Sequence, residues 1–374
     1  MRFIVSSTDL LQLLLTTSRV IASKNSLPIL DNFLFRLDEN KLTVTASDME
    51  TTIRSAIQIE EVAEEGEIAV PAKLLTDAIK ELPTQPIEFS TNADKQIANI
   101  VWQSGNAQIP FLSAEEYPQA PALKEAKALV MSAKVLADGI NGTIYATAEE
   151  ELRPVMNGIF FDITEDDTTL VASNAHKLVC FIRNDIKLSE KASFILPKKP
   201  ANILRGALAK LGDTDVVISF DNKNACFTFA ETTVVCRLVE GTFPAYRSII
   251  PKNNTNVITV SRTELLNASK RVAVCSSQAT AQIIFRLSMN RIEITAQDVD
   301  FSTSAKETLL CNYEGVPMEI SFKSTFLIEI LSSLPYDDIC IKLSDSNRAA
   351  LIEAAVDENP DEAIRALLMP MRIN

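Results

Sequence analysis

Apolar and polar residues along this chain follow one pattern that appears three times. Residues 68–83, 194–212 and 318–335 each begin with a short apolar run that is typical of a β-strand. After a break and a basic residue, apolar side chains follow near positions i, i+3, i+4 and i+7, which predicts an amphipathic helix in each stretch. The three starts are separated by 126 and then 124 residues. This spacing indicates an internal repeat.

Other landmarks recur at the same spacing. Alternating strands that end in a small polar turn are predicted at residues 41–50, 169–178 and 291–300. Strands that lead into a helix, with Ser or Thr in cap-like places, are predicted at residues 3–21, 129–147 and 257–274. Each copy contains two helices and more strands, which is typical of α+β domains with helices on one face of antiparallel sheet. We therefore predict three tandem similar domains, at residues 1–124, 125–252 and 253–374.

Composition excludes several classes of site. The six cysteines are scattered with no C-x-x-C pair, and the chain has one histidine, so we expect buried reduced thiols and no metal site. Only nine glycines occur, and neither common phosphate-binding glycine motif is present, so we expect no nucleotide cofactor. The first residues do not form a signal-peptide pattern, and no apolar run approaches the roughly 20 residues that span a bilayer. We expect a soluble, cytoplasmic protein without membrane contact.

Charge is distributed unevenly along the chain, whose net charge is −13. Acids are concentrated in predicted loops and strand ends, whereas the helix at 194–212 carries Lys198, Lys199, Arg205 and Lys210 and no acid. If all helices face one side, that side could be positive and bind a phosphate backbone without reading sequence. On charge alone, ordinary solvated helix faces explain the pattern better.

His176 is the only side chain with a near-neutral intrinsic pKa, so most enzymatic mechanisms would use it as the catalytic acid or base. One alternative is a metal-dependent enzyme that uses carboxylate pairs at 149–151 or 337–338. These pairs fall in different repeats and in loop-like runs, which argues against their convergence on an ion. Another alternative is an acidic adaptor that binds proteins and no DNA. A repeat of large domains favours a frame or ring over an asymmetric catalytic cluster.

Several short motifs carry a family resemblance. They are "LPIL" (27–30), "SDME" (47–50), "VPAK" (70–73), "NGIFFD" (157–162), "ASNAHKL" (172–178), "LPKK" (196–199), "RLVEGTFPAYRSIIPK" (237–252) and "MPMRIN" (369–374). With the threefold period, these motifs make the chain resemble the bacterial β sliding clamps, processivity subunits of the replicative DNA polymerase. The resemblance covers all 374 residues.

The resemblance implies a head-to-tail homodimeric ring with helices lining its interior and antiparallel sheets outside. Double-stranded DNA would pass through the ring without sequence-specific contacts, and the clamp would perform no chemistry. It would tether the replicative DNA polymerase, be opened by an ATP-using clamp loader, and recruit other proteins that carry a clamp-binding motif.

Three sets of site residues follow from the resemblance. A hydrophobic pocket for partner peptides would comprise Met156, Ser173, Ala175, His176, Lys177, Leu178, Pro244, Ile249, Leu367, Met369, Pro370, Met371 and Arg372, with Lys177 and Arg372 at an exposed rim. DNA contacts would come from Lys24, Lys73, Arg153, Lys198, Lys199 and Arg205. The dimer interface would involve Ala107, Ile109, Val274 and Cys275.

The chain departs from the family pattern in three places. Asn174-Ala175 stands where Asp-Gly is common, so we expect a change in the shape of the pocket floor. Pro154-Val155 replaces an aromatic pair, which removes a stacking group. The acidic segment 356–364 is longer than usual, and we predict a loop there.

Overall fold

The three repeats share one order of elements: a strand, a helix, four strands, a second helix and three strands. A computed structural model describes residues 1–22, 25–149, 152–356 and 359–373. The helices are α1 (Ser7–Thr17), α2 (Ala72–Lys80), α3 (Ala133–Thr143), α4 (Lys198–Leu208), α5 (Arg262–Ala273) and α6 (Ser324–Ser333). The first repeat has one additional short strand.

The strands of the first repeat are β1 (Arg2–Ser6), β2 (Asn32–Asp38), β3 (Lys41–Ser47), β4 (Thr51–Gln58), β5 (Glu61–Glu64), β6 (Gly66–Pro71), β7 (Pro86–Asn92), β8 (Ile97–Trp102) and β9 (Gly105–Pro110). Those of the second are β10 (Lys127–Ser132), β11 (Gly158–Ile163), β12 (Thr168–Ser173), β13 (Lys177–Arg183), β14 (Ala192–Pro197), β15 (Asp215–Phe220), β16 (Asn224–Phe229) and β17 (Thr232–Arg237). Those of the third are β18 (Asn256–Ser261), β19 (Gln282–Ser288), β20 (Arg291–Asp298), β21 (Thr303–Leu310), β22 (Met318–Lys323), β23 (Asp338–Leu343), β24 (Ala350–Ala354) and β25 (Glu362–Leu368).

The first compact unit comprises Met1–Ala137 and Asn202–Leu238. It holds a five-stranded sheet, β5-β1-β7-β8-β9, and an eight-stranded sheet, β10-β15-β16-β17-β4-β3-β2-β6. The Phe89 ring joins the two sheets, because it lies 5.1 Å from the Phe3 ring on β1 and 5.6 Å from the Phe35 ring on β2. Helix α1 buries Leu10, Leu13 and Leu14 on one face, and it confirms the helix predicted after the first strand.

The second compact unit comprises Asp138–Ala201 and Val239–Asn374. It holds an eight-stranded sheet, β14-β11-β12-β13-β25-β24-β23-β18, and a four-stranded sheet, β21-β20-β19-β22. Helix α5 packs against α6 and against β20 and β21. Ser261 caps α5, because its hydroxyl accepts a hydrogen bond from the Glu264 N–H, whereas Ser6 before α1 forms no such side-chain bond.

Both eight-stranded sheets take four strands from each of two successive repeats. Strand β4 pairs with β17, with Ile53 opposite Val234, and β13 pairs with β25, with Val179 opposite Ala366. All strand pairings in the described residues are antiparallel, as predicted. Each of these sheets therefore continues from one repeat into the next, because the backbone groups at the edge strand of one repeat bond to the edge strand of the next. The boundaries predicted near residues 124 and 252 remain predictions from the repeat period.

The acidic segment 356–364 is only partly a loop. Residues 357 and 358 lie outside the described part, but β25 begins at Glu362. The loop prediction is wrong for residues 362–364, because Ile364 is buried and pairs with Phe181 of β13. In the described part of the chain, no helix is long and apolar enough to cross a membrane.

Candidate functional site

The second unit contains an apolar cavity of about 220 Å³. Its walls come from the β12–β13 turn, from the segment at 239–250 and from β25 with the residues after it. The lining residues are Met156, Ser173, Ala175, His176, Lys177, Leu178, Phe243, Pro244, Tyr246, Ile249, Ala349, Leu367 and Met369. Ten of them belong to the pocket predicted from the sequence. Flexible methionines and a few hydrogen-bonding groups suit an apolar ligand with several anchors.

Side-chain hydrogen bonds build the β12–β13 turn. The Asn174 side-chain oxygen accepts bonds from the backbone N–H groups of His176 (3.1 Å) and Lys177 (3.0 Å). The Ser173 hydroxyl accepts from the Ala175 N–H and donates to the Lys177 carbonyl at 2.9 Å. Ala175 has φ +71°, in the left-handed region that glycine favours. The Asn174-Ala175 departure therefore places alanine in a strained conformation.

The first repeat forms the same turn with different residues. The Asp48 carboxylate accepts from the N–H groups of Glu50 and Thr51, and the Ser47 hydroxyl accepts from the Met49 N–H. Met49 has φ +80°. The turns that end the corresponding strands of the first two repeats therefore contain the same hydrogen bonds, because Asp and Asn present the same acceptor oxygen.

The segment at 239–250 is fixed over the sheet by polar contacts. Asp162 is buried and accepts a bond from the Tyr246 hydroxyl at 2.8 Å and from Arg247 Nε at 3.0 Å. Arg247 Nη2 also donates to Asp167 at 2.9 Å. Burial, reinforced by the Asp162 contact, raises the pKa of Tyr246 well above its usual range. The Phe243 ring stacks on Phe160 at 4.7 Å, so the segment holds the cavity wall in place.

Lys177 is a buried cation. Its side chain is 3% exposed, and its ammonium donates to the Tyr145 carbonyl at 2.7 Å and forms an ion pair with Glu329 on α6. The ammonium also lies 5.0 Å from the centre of the Phe326 ring. Desolvation lowers the pKa of Lys177, and the Glu329 carboxylate opposes that shift. The prediction of Lys177 at an exposed rim is therefore wrong, because its charge is neutralised beneath the pocket.

The end of the chain lines the cavity only through Leu367 and Met369. Met371 bonds through its N–H to the Ser321 carbonyl at 2.8 Å, and the Arg372 carbonyl accepts from Gln282 at 2.9 Å. Pro370, Met371 and Arg372 were predicted in the pocket but are not among its lining residues. Met371 instead forms a backbone bridge to Ser321 of β22.

His176 is exposed at the cavity wall. Its ring stacks on Phe326 with centroids 5.9 Å apart, and its carbonyl accepts from the Met369 N–H at 2.9 Å. Among the described residues, no group of three or more His, Cys, Asp or Glu side chains could hold a metal ion. His176 therefore lines the cavity through an exposed ring that stacks on Phe326.

The cations predicted to contact DNA lie on or near helices. Lys73 is exposed in the first turn of α2, and Arg205 is exposed on α4. Lys198 and Lys199 begin α4, where Lys198 pairs with Glu149 at 2.7 Å. Arg153 is exposed before a 3-10 turn at Pro154–Met156. Lys24 lies outside the described residues.

The residues predicted at the dimer interface lie on one edge strand and beside another. Ala107 and Ile109 belong to β9, the last strand of the five-stranded sheet. Val274, which is 83% exposed, and Cys275 follow α5, and the Cys275 carbonyl accepts from Thr303 at the start of β21. Strand β21 is the outer strand of the four-stranded sheet.

Sequence reasoning missed several residues of the site. Phe243 and Tyr246 stand within the quoted segment 237–252 but were not assigned to the pocket, and their aromatic character was the available signal. Phe326 and Glu329 lie three residues apart on one face of α6. Their contacts with His176 and Lys177 join positions about 150 residues apart in sequence, as the separation of 152 between Lys177 and Glu329 shows.

Three family models match nearly the whole chain. They are described as the N-terminal, central and C-terminal domains of the DNA polymerase III beta subunit, and they match residues 1–121, 130–245 and 247–372. The chain belongs to the DNA polymerase III beta subunit family. This confirms the family predicted from the sequence.

Full-length relatives agree with this assignment. The chain is 27% identical to the beta sliding clamp of Pseudomonas putida and 29% identical to that of Vibrio cholerae, with 100% of each chain covered. A crystal structure of a sliding clamp from Pseudomonas aeruginosa, bound to griselimycin, is similar with a TM-score of 0.94 at 26% identity and full coverage of both chains. The α+β three-domain clamp fold is therefore confirmed. The chain is a sliding clamp for DNA polymerase III, a processivity subunit that is not itself catalytic.

The left-handed alanine generates a prediction about stability. Replacing Ala175 with glycine should stabilise the protein by about 0.5–1 kcal/mol, because relief of roughly 1–2 kcal/mol of left-handed strain exceeds the entropy that glycine adds to the unfolded chain. The midpoint of urea denaturation measures this change. Met49→Gly, at the matching turn, should shift the midpoint in the same direction. A fall in stability for Ala175→Gly would show that the turn carries no strain.

Proposed function

We propose that two copies of this chain close head to tail into a ring that encircles duplex DNA, tethers the replicative polymerase, and recruits other replication and repair proteins. The repeats at 1–124, 125–252 and 253–374 would act as its three domains. The observation that carries this proposal is the pairing of strand edges within the chain. The protein would act in the cytoplasm, where bacterial DNA is replicated.

Equivalent edges of successive repeats pair in this chain. In the first unit, the β4 edge of one repeat meets the β17 edge of the next, and in the second unit β13 meets β25 in the same antiparallel way. By position in the repeat, β21 corresponds to β4 and β13, whereas β9 corresponds to β17 and β25. Neither β9 nor β21 pairs on its outer side among the described residues. In a head-to-tail pair, β21 of one copy would pair with β9 of the other, as the repeat pattern predicts.

The interface residues are compatible with this closure. Ile109 is buried within the first unit, and Ala107 lies two residues away on the same face of β9, so this strand would pair through its edge backbone groups. Val274 exposes 83% of its surface next to the start of β21. An apolar side chain this exposed is stabilised when a second surface covers it.

Contacts with DNA would come from Lys24, Lys73, Arg153, Lys198, Lys199 and Arg205. Lysine and arginine on helices can contact phosphates without reading bases, which allows sliding. Lys198 is paired with Glu149, so its contribution would require exchange of that carboxylate for a phosphate.

The apolar cavity would bind a short peptide from the polymerase, the clamp loader or another partner. Buried anchors in such a groove supply most of the binding energy, and polar groups at the edge fix direction. Within the cavity, Leu178 and Leu367 lie opposite each other on paired strands, and Met156 and Met369 can adapt to varied side chains. Pro370, Met371 and Arg372, which do not line the cavity, would act only along its border.

The ring predicts topological retention on DNA. After loading onto nicked circular plasmid by its clamp loader and ATP, the protein should remain bound through gel filtration at moderate salt, because a closed ring cannot dissociate sideways. Linearising the plasmid should release it from the ends. Equal retention on circular and linear DNA would contradict encirclement, and an acidic adaptor that binds no DNA would be lost from both.

The pocket predicts an effect of His176 on peptide binding. His176→Ala should raise the Kd of a fluorescent clamp-binding peptide about five- to tenfold, since an exposed ring at the cavity wall is lost, a truncation worth about 1 kcal/mol or more. Met289→Ala is the control, because Met289 is 75% exposed and is not among the cavity-lining residues. Unchanged peptide affinity in both variants would show that His176 does not contribute to peptide binding.

A further inference from the structure

Both junctions between repeats within the chain end on the same backbone hydrogen bond. In the first unit, the Arg237 N–H at the end of β17 donates to the Glu50 carbonyl at 2.8 Å. In the second unit, the Met369 N–H just after β25 donates to the His176 carbonyl at 2.9 Å. Each acceptor belongs to the turn that precedes the facing edge strand, β4 or β13. This bond therefore joins the end of one repeat's edge strand to the turn of the neighbouring repeat.

Pro110 occupies the corresponding position of the first repeat. An alanine on the preceding strand marks the same register in each repeat. The pairs are Ile109 opposite Ala98, Cys236 opposite Ala225 and Leu368 opposite Ala350. The residues that follow in the chain are Pro110, Arg237 and Met369. Because proline has no backbone N–H, the first repeat cannot donate this bond, whereas the other two repeats do.

The nitrogen of Pro110 lies on the outer side of β9. The Phe111 N–H donates towards β8, to the Gln96 carbonyl at 3.0 Å, and backbone groups alternate in direction along a strand. Residues 106, 108 and 110 consequently present their backbone groups to the free edge of the sheet. Pro110 is exposed there. Proline at such a position leaves the five-stranded sheet itself intact and removes a donor only from whatever pairs with its edge.

We propose that Pro110 sets the strength of ring closure, because it withholds one backbone hydrogen bond from the junction between the two chains. When β9 of one copy pairs with β21 of the other, position 110 faces the turn between β20 and β21, as Arg237 and Met369 face the turns before β4 and β13. The missing bond makes this junction weaker than the two within each chain. The inference rests on the proposed head-to-tail ring and names a residue that limits its lifetime.

The test is subunit exchange of the full-length protein, followed by energy transfer after donor-labelled and acceptor-labelled batches are mixed. Pro110→Ala restores the N–H, and one net hydrogen bond should strengthen each junction about three- to tenfold. Release from nicked circular plasmid after loading requires one junction to open, so it should become about three- to tenfold slower. Exchange breaks both junctions of the ring, so it should become slower by about the square of that factor.

Two further variants serve as controls. Asn106→Pro has the opposite sign, because it removes a second outward N–H from β9 and leaves the bonds to β8 in place, so exchange should become about tenfold faster or more. Pro86→Ala removes an exposed proline at the start of β7, which lies inside the same sheet, and should change the exchange rate less than twofold. The urea midpoint of each variant checks that the chain is folded.

The outcomes separate this inference from the proposed function. If the wild-type protein is a dimer and Pro110→Ala exchanges as fast as Pro86→Ala, or faster, the role of Pro110 is wrong and the ring proposal stands. If the wild-type protein is monomeric at the concentrations of the exchange experiment, the ring itself is contradicted. If Asn106→Pro does not fold, the comparison of Pro110→Ala with Pro86→Ala decides the role of Pro110 alone.

Discussion

The backbone hydrogen bonds at strand edges determine how this chain is organised. An edge strand presents a row of N–H and C=O groups, and leaving them without partners invites pairing with another strand. Here the edges of successive repeats bond to each other at β4 with β17 and at β13 with β25, which produces two eight-stranded sheets. By the same correspondence, β21 and β9 are the remaining pair of complementary edges. In the proposed ring, β21 of one chain pairs with β9 of the other, as β4 pairs with β17 and β13 with β25 within the chain.

The pocket depends on one of these junctions. Strand β13 pairs with β25, so Leu178 and Leu367 meet directly and form part of the apolar floor. Just before β13, the turn at Asn174 places His176 at the cavity wall, and Lys177, the first residue of β13, forms an ion pair with Glu329 on α6. Removing the Glu329 carboxylate would leave the buried Lys177 ammonium without its counter-charge, which is costly, whereas Glu329 is exposed and remains solvated without Lys177. The cavity wall is therefore held in place by the Lys177–Glu329 ion pair and by the Tyr246–Asp162 hydrogen bond.

Much of the fold could be predicted from the sequence, because periodicity and turn chemistry are local properties. The threefold spacing located the six helices of the described residues, and the turns at Asp48 and Asn174, which end corresponding predicted strands, contain equivalent hydrogen bonds. Pairing between repeats could not be predicted in this way, since register between distant strands leaves no periodic signal. The burial of Lys177 was missed for a similar reason. Its partner Glu329 is 152 residues away, and only folding brings the two charges together.

The central claim is that the β21 edge of one chain meets the β9 edge of another. Sedimentation equilibrium of the full-length protein at micromolar concentration tests it most directly, because two such contacts close a ring of two chains and leave no edge for a third. The account predicts a single species at twice the chain mass of 41.1 kDa. A stable species at 41.1 kDa under those conditions would contradict it.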